Sequence, residues 1–283
     1  MPKKIGLALG GGGAKGLAHI GVIKELERAN IPISYIAGTS MGALVGGVYA
    51  ANGDTRQLED IFLNLQKKDI FPVSKIIRKR DGVFRNHAIV DHVAETLGTD
   101  HLIEKCKIPF RAVATDVRTG DEVVLNSGNL VQAVNASVAL PIAFKPIEIA
   151  GKILMDGGFV NPVPADIVRD MGADIVIAVD VSSRWNNVYE DPHPIHSLYS
   201  MLANALSVIE YQIAKHVLEK ADIVLRPNVL SFGWTHFHEA PALIRAGESV
   251  TRLWISEICR RSGYPEPKKT PLEKFMEFIL PVS

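Results

Sequence analysis

The pentapeptide Gly38-Thr39-Ser40-Met41-Gly42 sets a serine between two glycines, each two residues away. This spacing suits a nucleophile on a sharp strand-to-helix turn, where side chains at the flanking positions would collide. A hydroxyl held clear of a sheet in this way can attack a carbonyl carbon, so the chemistry indicated is acyl transfer. Upstream, Gly10-Gly11-Gly12-Gly13-Ala14-Lys15-Gly16 offers a second component. Consecutive glycines accept positive φ and bare their N–H groups, and a helix starting there adds its positive end. Such a loop can hold the charge that develops on a carbonyl oxygen. Gly11, Gly13 and Gly16 also fit a dinucleotide fingerprint. That chemistry needs an acid near the end of the second strand, and Ile31 to Gly38 contains none. A Walker loop fails because Lys15 is followed by Gly16 rather than Ser or Thr.

Ser40 needs a base within hydrogen-bond reach. Most of the nine histidines fall on predicted helices or polar loops. A triad of Ser40, Asp156 and either His193 or His196 follows the chain order of α/β-hydrolases, although Ser40 comes early for that fold. The stronger candidate is Asp156 acting alone, in Met155-Asp156-Gly157-Gly158-Phe159, where a preceding strand and two glycines can aim a carboxylate inward. An ordinary Asp is a weaker base than His by about 2.6 pKa units, or about 3.5 kcal/mol. Burial beside Ser40 recovers part of that by raising the carboxyl pKa. Proximity and the oxyanion loop must supply the rest.

The elements that would position these groups alternate. Ile5 to Leu9 reads as a buried strand, and Leu17, Ile20, Ile23 and Leu26 recur at helical spacing up to about Asn30. Tyr35 to Gly38 and a helix from about Met41 to Ala51 follow. Strand–helix–strand–helix order argues for a parallel sheet covered by helices. Residues 55–104 read as helical and loop-rich, with Pro72 and Gly82 as breakers. Strands are expected at Phe110–Asp116, Glu122–Leu125, Ile147–Ile149, Ile153–Met155 and Asp174–Val181. Helices are expected from Leu130 to Leu140, from about Ile195 to Lys220 and from about Ala240 to Arg261, with a short strand near Ile223–Leu225. No repeat or linker divides the chain. The expectation is one domain over 1–283, with a motif-bearing core at about 5–181 and a helical extension at about 195–283.

Composition narrows the classes. The chain has 283 residues, 47% hydrophobic and 22% charged, with 31 basic residues against 31 acidic. That is ordinary globular composition without the basic excess that attracts nucleic acid. Cys106 and Cys259 stand far apart, which fits a reducing compartment better than a disulfide or zinc framework. Glycines interrupt the apolar run after Lys3 and Lys4, so no signal peptide is expected, and a cytoplasmic location is the default.

Four blocks in order, Gly11-Gly12-Gly13-Ala14-Lys15-Gly16, Gly38-Thr39-Ser40-Met41-Gly42, Ala136-Ser137-Val138-Ala139-Leu140-Pro141 and Asp156-Gly157-Gly158, resemble the patatin-like phospholipase family and its compact bacterial acylesterases. The resemblance covers about the first 180 residues. It implies a three-layer α/β/α sandwich with a mainly parallel central sheet, distinct from the α/β-hydrolase. It also implies a Ser–Asp dyad at Ser40 and Asp156, and an oxyanion loop at Gly11, Gly12 and Gly13. Lys15 fills the loop's basic position, with Gly16, Gly38, Gly42, Gly157 and Gly158 as supporting motif residues. The implied substrate is a lipid or other acyl ester, cleaved through an acyl-serine without metal or cofactor. Asn86 stands where relatives often carry glycine. Transfer of the acyl group to an alcohol, a Ser–Asp–His hydrolase and a regulatory module with an idle site remain alternatives.

Two further segments carry expectations. Lys75, Arg78, Lys79 and Arg80 alternate with Phe71, Val73, Ile76, Ile77, Val83 and Phe84, a pattern suited to anionic lipid at the inner face of a membrane. The amphipathic tail Leu272, Phe275, Met276, Ile279 and Leu280 is expected to dock on the domain or on a second subunit.

Overall fold

The computed structural model describes residues 2–64, 94–95, 97–141, 144–182 and 198–267. The strands are β1 (Ile5–Leu9), β2 (Ile33–Thr39), β3 (Phe110–Asp116), β4 (Glu122–Leu125), β5 (Ile147–Ile149), β6 (Lys152–Asp156), β7 (Ile175–Val179) and β8 (Ile223–Leu225). The helices are α1 (Ala18–Arg28), α2 (Met41–Asn52), α3 (Thr55–Asn64), α4 (Leu130–Ser137), α5 (Ala165–Asp170), α6 (Leu198–Val217) and α7 (Ala240–Ser262). All eight strands form one sheet ordered β5-β6-β3-β2-β1-β7-β8, with β4 also on β3. The pairs β3–β2, β2–β1, β1–β7 and β7–β8 are parallel, whereas β4 and β6 run antiparallel to β3.

Period-two alternation makes the layers. Ile5, Leu7 and Leu9 of β1, with Ile175, Ile177 and Val179 of β7, join the core under α1, α2, α4 and α7. Their neighbours Ala8, Val176 and Ala178 point the other way, into a second core with Ala165, Ile167 and Val168 of α5 and Ala214 of α6. The result is the three-layer sandwich expected from the sequence. Sequence periodicity missed α5, which is only six residues long and opens directly after Pro162-Val163-Pro164. The helix expected to reach Leu140 ends at Ser137. Pro141 disfavours helical backbone at Leu140, and the freed Ala139 carbonyl accepts the Asp156 N–H at 3.0 Å.

The edge of β3 is what brings the distant motifs together. Ala112 and Val113 pair with β2 on one side and β4 on the other, while Ala114 and Thr115 pair with β4 and β6. Strands β2 and β6 therefore lie end to end along the same edge. The carboxyl end of β2 leads into Ser40, and the carboxyl end of β6 is Asp156.

Candidate active site

Ser40 immediately precedes α2 with φ 54° and ψ −123°, a strained conformation for a residue with a side chain. The surroundings hold that strain in place. The Ser40 N–H donates to Ser137 Oγ at 2.9 Å, and Ser137 Oγ donates to the Val113 carbonyl at 2.5 Å. Thr39 Oγ1 donates to the Asn161 carbonyl at 2.6 Å. A carbon added at Gly42 would overlap the Leu9 carbonyl, and one at Gly38 would overlap that of Gly42. The two flanking glycines are thus required by close backbone approach.

The Ser40 hydroxyl, 6% exposed as a residue, donates directly to Asp156 Oδ2 at 2.7 Å. Asp156 is 1% exposed, and its Oδ1 accepts the Gly158 N–H at 2.8 Å. Burial raises its pKa to about 6, against the lowering by the hydrogen bonds from Gly158 and Ser40. A direct bond leaves no imidazole between serine and carboxylate. His193 and His196 lie outside the described residues, as do Pro72, Gly82, Asn86, the basic–apolar segment and the C-terminal amphipathic segment.

The glycine loop leaves β1 and reaches the site from the other side. Gly12 and Gly13 take φ 150° and 57°, and a short 3-10 turn, Gly13–Leu17, carries buried Lys15 and Gly16 into α1. The Gly11 N–H donates to the Pro162 carbonyl at 2.9 Å. That bond engages the N–H of Gly11, one of the three expected oxyanion donors. Gly12 and Gly13 have N–H groups with no partner among the described residues. His19 Nε2 donates to the Gly10 carbonyl at 2.7 Å, and burial lowers its pKa to about 4, so the ring is neutral. Gly157 and Gly158 form the turn after Asp156, and the segment they open clamps both other parts. Its Asn161 carbonyl holds Thr39 and its Pro162 carbonyl holds Gly11.

Three contributors were not legible as site residues. Ser137 belongs to a block whose chemical step the sequence did not assign, and it anchors the Ser40 backbone. His19 looked like one polar residue on a helix. Glu210 of α6, 3% exposed, faces Gly11 and Gly158. Its signal was an acid within the apolar stripe Leu206, Glu210, Ala214, all buried. Burial raises its pKa to about 8, with Asp156 and Asp180 raising it and Lys15 lowering it.

A family described as patatin-like phospholipase matches residues 7–169. An uncharacterised NTE family protein of Mycobacterium tuberculosis is 34% identical over 220 residues, which are 77% of this chain and 61% of that protein. A protein named lysophospholipase nte1, from Aspergillus fumigatus, is 27% identical over 308 residues, covering 98% of this chain and 20% of its own length. The chain thus spans about three fifths of the mycobacterial relative and a fifth of the fungal one. Among solved structures, VipD from Legionella pneumophila superposes with a TM-score of 0.51 at 14% identity, covering 90% of this chain and 67% of that one. At that identity the likeness concerns the fold alone.

Proposed function

The chain belongs to the patatin-like phospholipase family, and from that premise we propose that it hydrolyses lipid acyl esters with Ser40 as nucleophile and Asp156 as base. The observation that carries this is the 2.7 Å bond from Ser40 Oγ to a buried Asp156 carboxylate. Asp156 takes the hydroxyl proton as Ser40 attacks the ester carbonyl. The N–H groups of Gly12 and Gly13 meet the oxyanion, and the positive end of α2 lies under Ser40. Protonated Asp156 returns its proton to the leaving alkoxide, giving an acyl-serine. It then deprotonates the water that releases the fatty acid. With its pKa at about 6, Asp156 is ionised at neutral pH and a stronger base than an ordinary aspartate.

An apolar cluster of Leu140, Phe144 and Leu206, with half-buried Phe159 and Trp234, supports an acyl chain as the substrate's other part. Three of its members adjoin a site element: Leu140 follows Ala139, Phe159 follows Gly158, and the Trp234 ring lies against Gly13. Single-chain lysophospholipids are the first substrates to test, in keeping with the name of the fungal relative. No helix among the described residues is long and apolar enough to cross a membrane. Contact with lipid through Lys75, Arg78, Lys79 and Arg80 at the inner face of a membrane, by an otherwise cytoplasmic protein, completes the reading.

A fluorophosphonate probe tests the dyad. Labelling is expected to map to Ser40, to fall at least about 100-fold in Asp156→Asn, and to survive changing His193 and His196 together. Loss of labelling in the double histidine variant would replace the dyad with a triad.

A further inference from the structure

Glu210 approaches the dyad from a third side. No hydrogen bond among the described residues reaches its carboxyl group. Its Oε1 rests against the two backbone segments that build the site. A carbon placed on Gly158 would stand 2.5 Å from Glu210 Oε1 and 3.2 Å from Asp156 Oδ1. A carbon placed on Gly11 would stand 3.0 Å from the same Oε1 and 3.4 Å from Ser40 Cβ. Only hydrogens occupy those positions, so the carboxyl group looks across bare backbone at both members of the dyad. A carboxyl group held against bare backbone beside the dyad is placed to meet a ligand or water bound there.

We propose that Glu210 acts as a neutral carboxylic acid whose O–H donates a hydrogen bond to the substrate's carbonyl oxygen, beside the N–H groups of Gly12 and Gly13. This rests on the acyl-hydrolase reading above and adds a side-chain donor to the backbone pair. Gly11, whose N–H is taken by Pro162, lies between Glu210 and Ser40, and Gly158 lies between Glu210 and Asp156. The charges facing it are Lys15 from the glycine loop, Asp156 from β6 and Asp180 after β7, the last paired with Arg226 at 3.2 Å. Burial and the two aspartates outweigh Lys15, so Glu210 holds its proton to about pH 8, while Asp156 loses its own near 6. Two carboxyl groups pushed apart in this way divide the work into one base and one acid.

The test is the pH dependence of kcat/KM on a short-chain p-nitrophenyl ester for the parent protein, Glu210→Gln and Glu210→Leu. The parent should rise through about pH 6 as Asp156 ionises and fall through about pH 8 as Glu210 ionises. Glu210→Gln keeps a donor that cannot ionise, so it should retain most activity at pH 7 and lose the alkaline fall. Glu210→Leu should lose on the order of 100-fold in kcat while its urea midpoint rises, because a buried acid has been removed. A purely structural glutamate would lower stability and leave the alkaline limb in place. Glu210→Leu at parental activity, or an alkaline fall that persists in Glu210→Gln, overturns the proposal. Should the leucine variant fail to fold, the glutamine profile decides alone. Undiminished turnover in Ser40→Ala would instead defeat the hydrolase reading and leave these profiles without bearing on it.

Discussion

At the scale of single residues, the site trades stability for reactivity. Asp156 is buried with an ionised carboxylate at neutral pH, and its pKa stands above the ordinary value of 3.8, at about 6. The folded state therefore binds the proton more tightly than the unfolded one. Stability is lost as pH rises from 3.8 to 6, and the full cost, on the order of 3 kcal/mol, is present above 6. Asp156→Asn should accordingly raise the urea midpoint at pH 7.5 while abolishing turnover. An unchanged or lower midpoint would mean that Asp156 binds its proton no more tightly in the folded protein than in the unfolded chain. Ser137 shows the opposite economy. One hydroxyl satisfies the Ser40 N–H and the Val113 carbonyl, tying the strained turn to β3.

At the scale of elements, helices are as constrained as the turn they support. Helices α1 and α7 cross so closely that a carbon added at Gly247 would overlap the Ala18 carbonyl, and one at Gly21 would overlap that of Ile244. Ala18 is the first residue of α1, directly after the glycine turn. Helix α7 thus braces the start of α1, and with it the loop that carries Gly12 and Gly13. Gly247→Ala should force the helices apart, destabilising the protein by about 3 kcal/mol in urea titration and slowing fluorophosphonate labelling of Ser40. Normal labelling in a destabilised variant would separate α7 from the site.

At the scale of the whole molecule, three buried titrating groups shape the dependence of stability on pH. His19 has a pKa of about 4, below its ordinary 6.5, so its contribution is complete above 6.5 and is lost as pH falls toward 4. Asp156 acts in the opposite sense between 3.8 and 6, and the two largely cancel there. Between pH 6.5 and 8 only Glu210 of the three remains in transition, protonated when folded and ionised when unfolded. Stability should fall across that window by about 1.4 kcal/mol per pH unit, roughly 2 kcal/mol in all. Urea midpoints from pH 6.5 to 8 should decline in the parent protein and stay level in Glu210→Gln. A level parental series would mean that Glu210 is already ionised at neutral pH.

Local chemistry made much of this protein readable from its residues. Strands such as Ile5–Leu9, Phe110–Asp116 and Ile223–Leu225 announce themselves by short apolar runs, and α1, α2 and α7 by their apolar spacing and length. The serine elbow, the glycine loop and the Asp-Gly-Gly turn are contiguous motifs, because each must shape its own backbone within a few residues. The contributions of Ser137, His19 and Glu210 are different in kind. Each depends on a contact that spans the fold or on burial that the chain alone does not display. Whether Ser40 meets Asp156 depends on β2 and β6 sharing one edge of β3, a pairing between segments more than a hundred residues apart. Likewise, the Pro162 carbonyl engages the Gly11 N–H, and an acid in an apolar stripe of α6 comes to face the dyad. Hydrogen-bond partners and desolvation are properties of the packed molecule, and packing is where these choices were made.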